Sequence, residues 1–176
     1  MKKISALVLA CGTASGAVAQ LNVPVGVDVG IYFPQSELVR DVWGENWFRI
    51  GISPLSFQTP GNWRFTFDLG IMRRSENDDS VTLIPLTFGF TKSFGRDMKM
   101  LPYVVGRVGP YWGDVDSLTF GINKSQVGWN ANAAVGISFD RRFYIEGRYD
   151  HYSKFEGLDF SGFSIAAGIR VFEIRL

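Results

Sequence analysis

From Val25 onward the chain repeats one pattern: apolar and polar residues alternate with a period of two. Val25, Val27, Val29 and Ile31 fall on one parity, and Gly26, Asp28, Gly30 and Tyr32 on the other. In an extended chain that spacing sends the two sets to opposite faces of a strand. The same alternation recurs in runs at residues 25–33, 47–55, 63–73, 81–94, 101–112 and 126–139, and in two further runs between residues 143 and 172. Eight strands are therefore predicted, each near the ~9–11 residues that a tilted strand needs to cross a bilayer. One segment breaks the pattern. Residues 36–43 place Leu38, Val39, Val42 and Trp43 at helical spacing, with Ser36 at the start and Gly44 as a stop, so a short helix is expected there.

The connections are read from turn residues. Thr59-Pro60-Gly61-Asn62 predicts a tight turn, residues 95–99 another, and Asp140-Arg141-Arg142 a third. Residues 75–80 (SENDDS) and 114–124 read as longer polar loops. Pro85 cannot donate to a ladder, so pairing of the fourth strand is expected to begin after it. Short and long connections alternate, which predicts an up-and-down barrel with short periplasmic turns, longer outer loops and both termini on the periplasmic side.

The first 19 residues read as a secretory signal peptide: Lys2 and Lys3, an apolar stretch from Ile4 to Ala10, and Ala17-Val18-Ala19 as the cleavage site. The predicted domain is then residues 20–176. Cleavage removes two lysines and turns a formal charge of +1 into −1, which gives no reason to expect nucleic acid as a partner. It also removes Cys11, the sole cysteine, unless Val8-Leu9-Ala10-Cys11 is read as a lipoprotein box, in which Leu9 is atypical. The single histidine, His151, excludes a multi-histidine metal site, and no glycine loop has phosphate-binding spacing, so no cofactor is expected. No later apolar stretch approaches the ~18 residues of a spanning helix.

The faces differ in content, and that distinguishes two kinds of barrel. A soluble lipocalin-type barrel, a periplasmic binder, would carry apolar residues inside and polar ones outside. Here the apolar faces carry large residues such as Phe65, Phe67, Phe88 and Phe90, while the polar faces mix isolated charges with glycine, serine and alanine. A water-facing strand would be denser in Lys, Glu and Thr. The polar-face charges are Asp28, Asp68, Glu146 and Asp150 against Arg49, Arg64, Arg107, Arg148 and Arg170. None is a lysine, and arginine suits enclosed, multi-donor pairing. An eight-stranded barrel has a lumen that side chains fill. These nine residues are expected to form a lumen ion-pair network. Aromatic residues near the strand ends are expected to form two interfacial belts, with Phe33, Trp47, Trp112, Trp129 and Phe163 at one end. Trp63, Phe94, Tyr103, Phe139 and Phe143 are expected at the other.

Signal peptide, alternation, loop asymmetry and the near-terminal aromatic Phe172 together resemble the small eight-stranded outer-membrane β-barrels, among them the OmpA transmembrane domain and OmpX. The resemblance covers the whole chain after the signal. It implies an all-β transmembrane barrel in the outer membrane of a Gram-negative envelope, in contact with outer-membrane lipid and lipopolysaccharide. It further implies insertion by the barrel-assembly machinery and a monomeric state. The roles it implies are envelope integrity, surface contact or passage of small apolar compounds, a non-enzymatic and loosely porin-like set. No periplasmic domain is expected. Four residues, Glu173 to Leu176, follow Phe172, a departure from the usual terminal aromatic.

A second resemblance points to chemistry. His151-Tyr152-Ser153 is similar to the His-x-Ser pair of PagL-type lipid A deacylases. That implies a catalytic His151 base and Ser153 nucleophile on the outer surface, with Glu156 or Asp159 as the orienting acid. Lys154 stands where that family has an asparagine.

Overall fold

The computed structural model describes residues 22–54, 63–95, 99–140 and 142–175. The expected signal peptide at residues 1–19, Cys11, the expected turn at residues 59–62 and most of the expected turn at residues 95–99 lie outside the described residues. The eight strands are β1 (Asn22–Pro34), β2 (Trp47–Pro54), β3 (Arg64–Glu76), β4 (Asp79–Ser93), β5 (Met100–Ser117), β6 (Ile122–Phe139), β7 (Phe143–Tyr152) and β8 (Gly162–Arg175). Each pairs antiparallel with the next, and β8 pairs back with β1 to close the barrel. Closure leaves no open sheet edge, so every strand has its ladder partners on both sides. Both termini lie at one end, called here the terminal end; the other end is the mouth.

Strand content follows the alternation. Large apolar residues point out: Phe65, Phe88, Phe90, Ile145 and Ile165 are all exposed. The interleaved Asp28, Arg49, Asp68, Arg148 and Asp150 point in and are buried. That is the reverse of a soluble barrel, and it removes the lipocalin-type alternative. The outward wall is a nonpolar surface with no protein to cover it, as lipid requires.

The strand boundaries differ from the expectation mainly at the mouth. Residues 75–80 are not a loop: β3 and β4 pair through Glu76 and Asp79, and only Asn77 and Asp78 turn the chain. Asn77 takes a positive φ of 50°, a conformation asparagine tolerates. Likewise most of residues 114–124 is ladder, with Ser117 opposite Ile122 and a four-residue turn between. β5 and β6 run 18 residues each, more than a crossing needs. The barrel therefore projects beyond its apolar band at the mouth through paired strands rather than through long loops. Polar residues there keep pairing because ladder bonds do not depend on which solvent the side chain meets.

Pro85 does not start the fourth strand. Pairing begins at Asp79 and resumes at Leu86, and the β3–β4 register is the same on both sides of the proline. The proline, lacking an N–H, falls where the β3–β4 ladder skips two positions, while it still pairs with Tyr111 of β5. At the closing seam the β1–β8 register shifts between Val25 and Gly26, so Val171 is bulged. Beyond it Glu173, Ile174 and Arg175 pair with Pro24, Val23 and Asn22, so three of the four residues after Phe172 belong to β8.

Helix α1 (Glu37–Trp43) forms in the β1–β2 connection as the apolar stripe predicts. Ser36 sits at the N-cap without a side-chain cap bond, and Gly44, at φ 77°, ends the helix with its N–H on the Arg40 carbonyl at 2.8 Å. Its Val39 and Trp43 are fully buried, so the helix folds over the mouth rather than onto lipid. Trp43 meets the rings of Phe120 and Phe160 at centroid distances of 5.7 and 5.9 Å. Below it Tyr32, Trp47, Met72, Leu83, Tyr111, Tyr152 and Phe155 complete an apolar cluster inside the barrel. Two residues expected in the belts are therefore in the lumen instead: Trp47 in this cluster, and Tyr103 at the terminal end. Both share the parity of the inward charges on their own strands, which decides their direction.

Candidate functional site

The lumen below the apolar cluster holds a continuous polar network. Arg49 on β2 is its centre. Its guanidinium pairs with Asp28 of β1 and, through Nη2, donates to both Asp68 oxygens on β3 at 3.0 and 2.9 Å. Arg148 reaches the same Asp68 from β7 at 2.9 Å and lies 3.1 Å from Asp150. The Tyr144 hydroxyl donates to Asp28 at 3.1 Å. Arg49 is 1% and Arg148 4% exposed, so these charges have lost their water and depend on one another.

A second branch lies on the other side of the lumen. The Tyr103 hydroxyl donates to Glu146 at 3.1 Å, and Arg107 lies 3.9 Å from the same carboxylate. Arg107 also donates to Asn132 Oδ1 at 3.2 Å, and the Asn132 amide donates to Thr87 and Asn130. β7 joins the branches, because Glu146, Arg148 and Asp150 follow one another on its inward face. Four carboxylates thus face three guanidiniums in the network.

Beside the network β8 presents only the small Ser164, Ala166 and Gly168 inward, with Arg170 on the same face nearer the terminal end. A Cβ at Gly168 would stand 2.2 Å from the Tyr144 ring, and one at Gly136 would stand 2.3 Å from the Tyr103 ring. The two tyrosines occupy the space that these glycines leave.

Seven of the nine expected lumen charges are brought together. Arg64 is not: it lies on the inward parity of β3 but is exposed at the terminal end. Arg170 is half-buried at that end, and the pairs above form without it. Tyr103, Tyr144 and Asn132 are network members that the charge pattern alone passed over; parity with Arg107, Glu146 and Arg107's cross-strand position was the available signal. Among the described residues no cluster of His, Asp, Glu or Cys is arranged to hold a metal ion.

The second candidate, at the mouth, assembles differently from the expected triad. His151 is outward-facing on β7, and its Nδ1 lies 3.2 Å from Ser161 Oγ. The ring stacks obliquely on Trp129 at 5.1 Å. Ser153 Oγ accepts the Trp129 N–H at 3.0 Å, and the Ser153 carbonyl accepts the Tyr111 hydroxyl at 2.9 Å. Glu156 turns away and pairs with Lys124, so it does not orient His151. Asp159 accepts the Ser161 N–H at 2.9 Å and touches the histidine only through that serine.

Three comparisons bear on these sites. No family model matches the chain, and no curated protein matches it. Solved structures do. The outer-membrane enzyme PagL superposes with a TM-score of 0.61 at 15% identity, over 83% of this chain and 99% of that one. Neisserial surface protein A gives 0.59 at 16%, over 84% and 96%. The N-terminal β-barrel domain of Pseudomonas aeruginosa OprF gives 0.50 at 13%, over 88% and 98%. The fold is that of the small outer-membrane β-barrels. Within that fold the neighbours include an enzyme and proteins not described as enzymes, so the shape of the barrel carries no activity with it. A small outer-membrane barrel presents three surfaces on which function can reside: a lumen, here filled; a mouth, here covered by α1; and a lipid-facing wall.

Proposed function

We propose that the protein is an integral outer-membrane barrel of non-enzymatic type, sealed along its axis, that serves envelope integrity or surface contact. The observation that carries this reading is the two-layer closure: Trp43 packed into the mouth, and the Arg49–Asp68–Arg148 bridge spanning the lumen beneath it. A lumen filled by buried charges opposes free passage of water and ions, and its ion pairs would be left uncompensated by an apolar solute passing through. Surface contact or a structural role is therefore favoured over passage of compounds. In this reading the mouth faces outward, the termini face the periplasm, and the partners are lipopolysaccharide outside and phospholipid inside. The barrel-assembly machinery inserts it as a monomer.

The test is reconstitution of the folded protein in planar bilayers and in liposomes. The expected result is no discrete conductance steps and no solute-driven swelling. Regular ohmic steps from a heat-modifiable, folded preparation would overturn it.

A second reading is lipid A deacylation by His151 and Ser153. The observation that favours it is the exposed position of His151 on the outer face at the mouth, with its Nδ1 3.2 Å from Ser161 Oγ. A base oriented through one nitrogen while the other takes a proton is the logic of an activated nucleophile. Mass spectrometry of lipid A from cells expressing the wild type and Ser153→Ala decides it. Acyl loss that depends on Ser153 supports it, and unaltered lipid A in wild-type cells eliminates it.

A further inference from the structure

Lys92 is out of place. The outward row of β4 ends Leu86, Phe88, Phe90, Lys92, with Phe94 just past the strand, so a lysine stands where its neighbours are apolar. Its Nζ stands 5.6 Å from the Trp63 ring and 5.8 Å from the Phe94 ring, so the ammonium is held between two aromatic faces near the terminal end. Among the described residues no carboxylate pairs with it. Directly beside it the wall is hollow. A groove of about 590 Å³ is lined by Trp63, Phe90, Val104 and Gly106, and its lining is almost wholly apolar. The register makes the two contiguous: Lys92 is opposite Val104, and Phe90 is opposite Gly106. Trp63 belongs to both, as one wall of the groove and one face of the cation cage. At Gly106 a Cβ would meet nothing within 4 Å, so the groove floor is open rather than filled by a neighbour.

We propose that Lys92 and this groove form a binding site for one anionic phospholipid of the periplasmic leaflet, its acyl chain in the groove and its phosphate on the lysine. The groove is open on its outer side, as a place for an acyl chain lying along the wall requires. A cation on a lipid-facing strand is costly at depth and favourable near headgroups, where a phosphate diester supplies the missing counter-charge. The aromatic cage restricts the ammonium to the groove's edge, which fixes where the phosphate sits relative to the chain. The site rests on the outward wall being embedded in lipid.

Native mass spectrometry of the folded, detergent-released barrel tests it, with phosphatidylglycerol and phosphatidylcholine as the probes. Heat-modifiable gel mobility of each variant reports membrane-barrel folding separately. The wild type is expected to retain one phosphatidylglycerol in preference to phosphatidylcholine. Lys92→Gln is expected to lower phosphatidylglycerol retention about fivefold, the effect of one lysine beside an anionic surface, and to remove the headgroup preference. Gly106→Leu fills the groove without a backbone clash and is expected to lower retention of both lipids. Equal retention of the two lipids by the wild type overturns the proposal, as does unchanged retention in either folded variant. Should one variant fail to fold, the other and the wild-type preference decide it.

Discussion

Arg148 of β7 and Asp68 of β3, 80 residues apart in the chain, meet across the barrel lumen at 2.9 Å. Arg49 grips the same carboxylate from β2. One aspartate thus ties three strands together inside the lumen.

Removing Arg148 leaves Asp68 short of one partner and Asp150 without the arginine it pairs with. Arg148→Met is expected to lower barrel stability by about 3–5 kcal/mol, the cost of breaking a buried pair. Thermal unfolding in detergent, followed by loss of the heat-modifiable form, measures it. Adding Asp150→Leu is expected to recover part of the loss, because the stranded charge is then gone. An unaltered midpoint in the single variant would show that the network contributes nothing to the folded state.

Gly168 and Tyr144 form a second coupled pair. Gly168→Val places methyl groups where the Tyr144 ring stands, and overpacking of this kind costs about 1–3 kcal/mol. The companion change Tyr144→Ala is expected to remove most of that clash while losing its own bond to Asp28. A double-mutant cycle on unfolding free energies reads the coupling, and additive effects would refute the close approach.

Trp43 is expected to matter for stability more than for closure. Trp43→Ala removes a fully buried indole from the mouth cluster and is expected to cost about 3–5 kcal/mol. Conductance is expected to stay absent in planar bilayers, since the Arg49–Asp68–Arg148 bridge still blocks the lumen. Channel steps in this variant would show that the helix alone seals the barrel.

The β3–β4 hairpin tip carries a pH-sensitive contact beyond the membrane band. Hydrogen bonds, first from the Ser117 hydroxyl and then from Thr119, hold the Asp79 carboxyl below its usual range. The Thr119 hydroxyl donates at 2.7 Å and its N–H at 3.2 Å. A depressed carboxyl contributes stability at pH above its unfolded value, about 3.9, and loses it as pH falls through the lower folded value. Protection of the Thr119 amide against hydrogen exchange is therefore expected to hold at pH 5–7 and to fall in acid. In Asp79→Asn it is expected to be lower throughout and without that acid step. A wild-type protection profile flat down to pH 2 would contradict the contact.

Parity carried most of what was legible. It separated lipid from lumen in all eight strands, and it placed Asp28, Arg49, Asp68, Arg107, Glu146, Arg148 and Asp150 inside. The same rule covers Trp47, in step with Arg49, and Tyr103, in step with Arg107. Reading them as belt residues gave weight to distance from the strand end, which a belt and a lumen position share. The turns were misjudged at residues 75–80 and 114–124 for a related reason. Composition reports which solvent a residue meets, whereas ladder pairing continues wherever two strands stay in register.

The sequence by itself determined an all-β chain whose outward face is apolar and whose inward face is charged, because a period of two needs only local geometry. It also determined the short helix, since Leu38, Val39, Val42 and Trp43 fit one helical stripe. Only the tertiary structure decided the partners. Whether Asp68 meets Arg49, Arg148 or Arg64 depends on the stagger and closure of all eight strands, which no local window contains. The same holds at the mouth, where the fold of the β7–β8 connection sets His151 against Ser161 and turns Glu156 to Lys124, and on the wall, where β4–β5 pairing sets Lys92 beside the hollow at Gly106. Such contacts join different strands or connections, and their geometry exists only once those strands have paired in register.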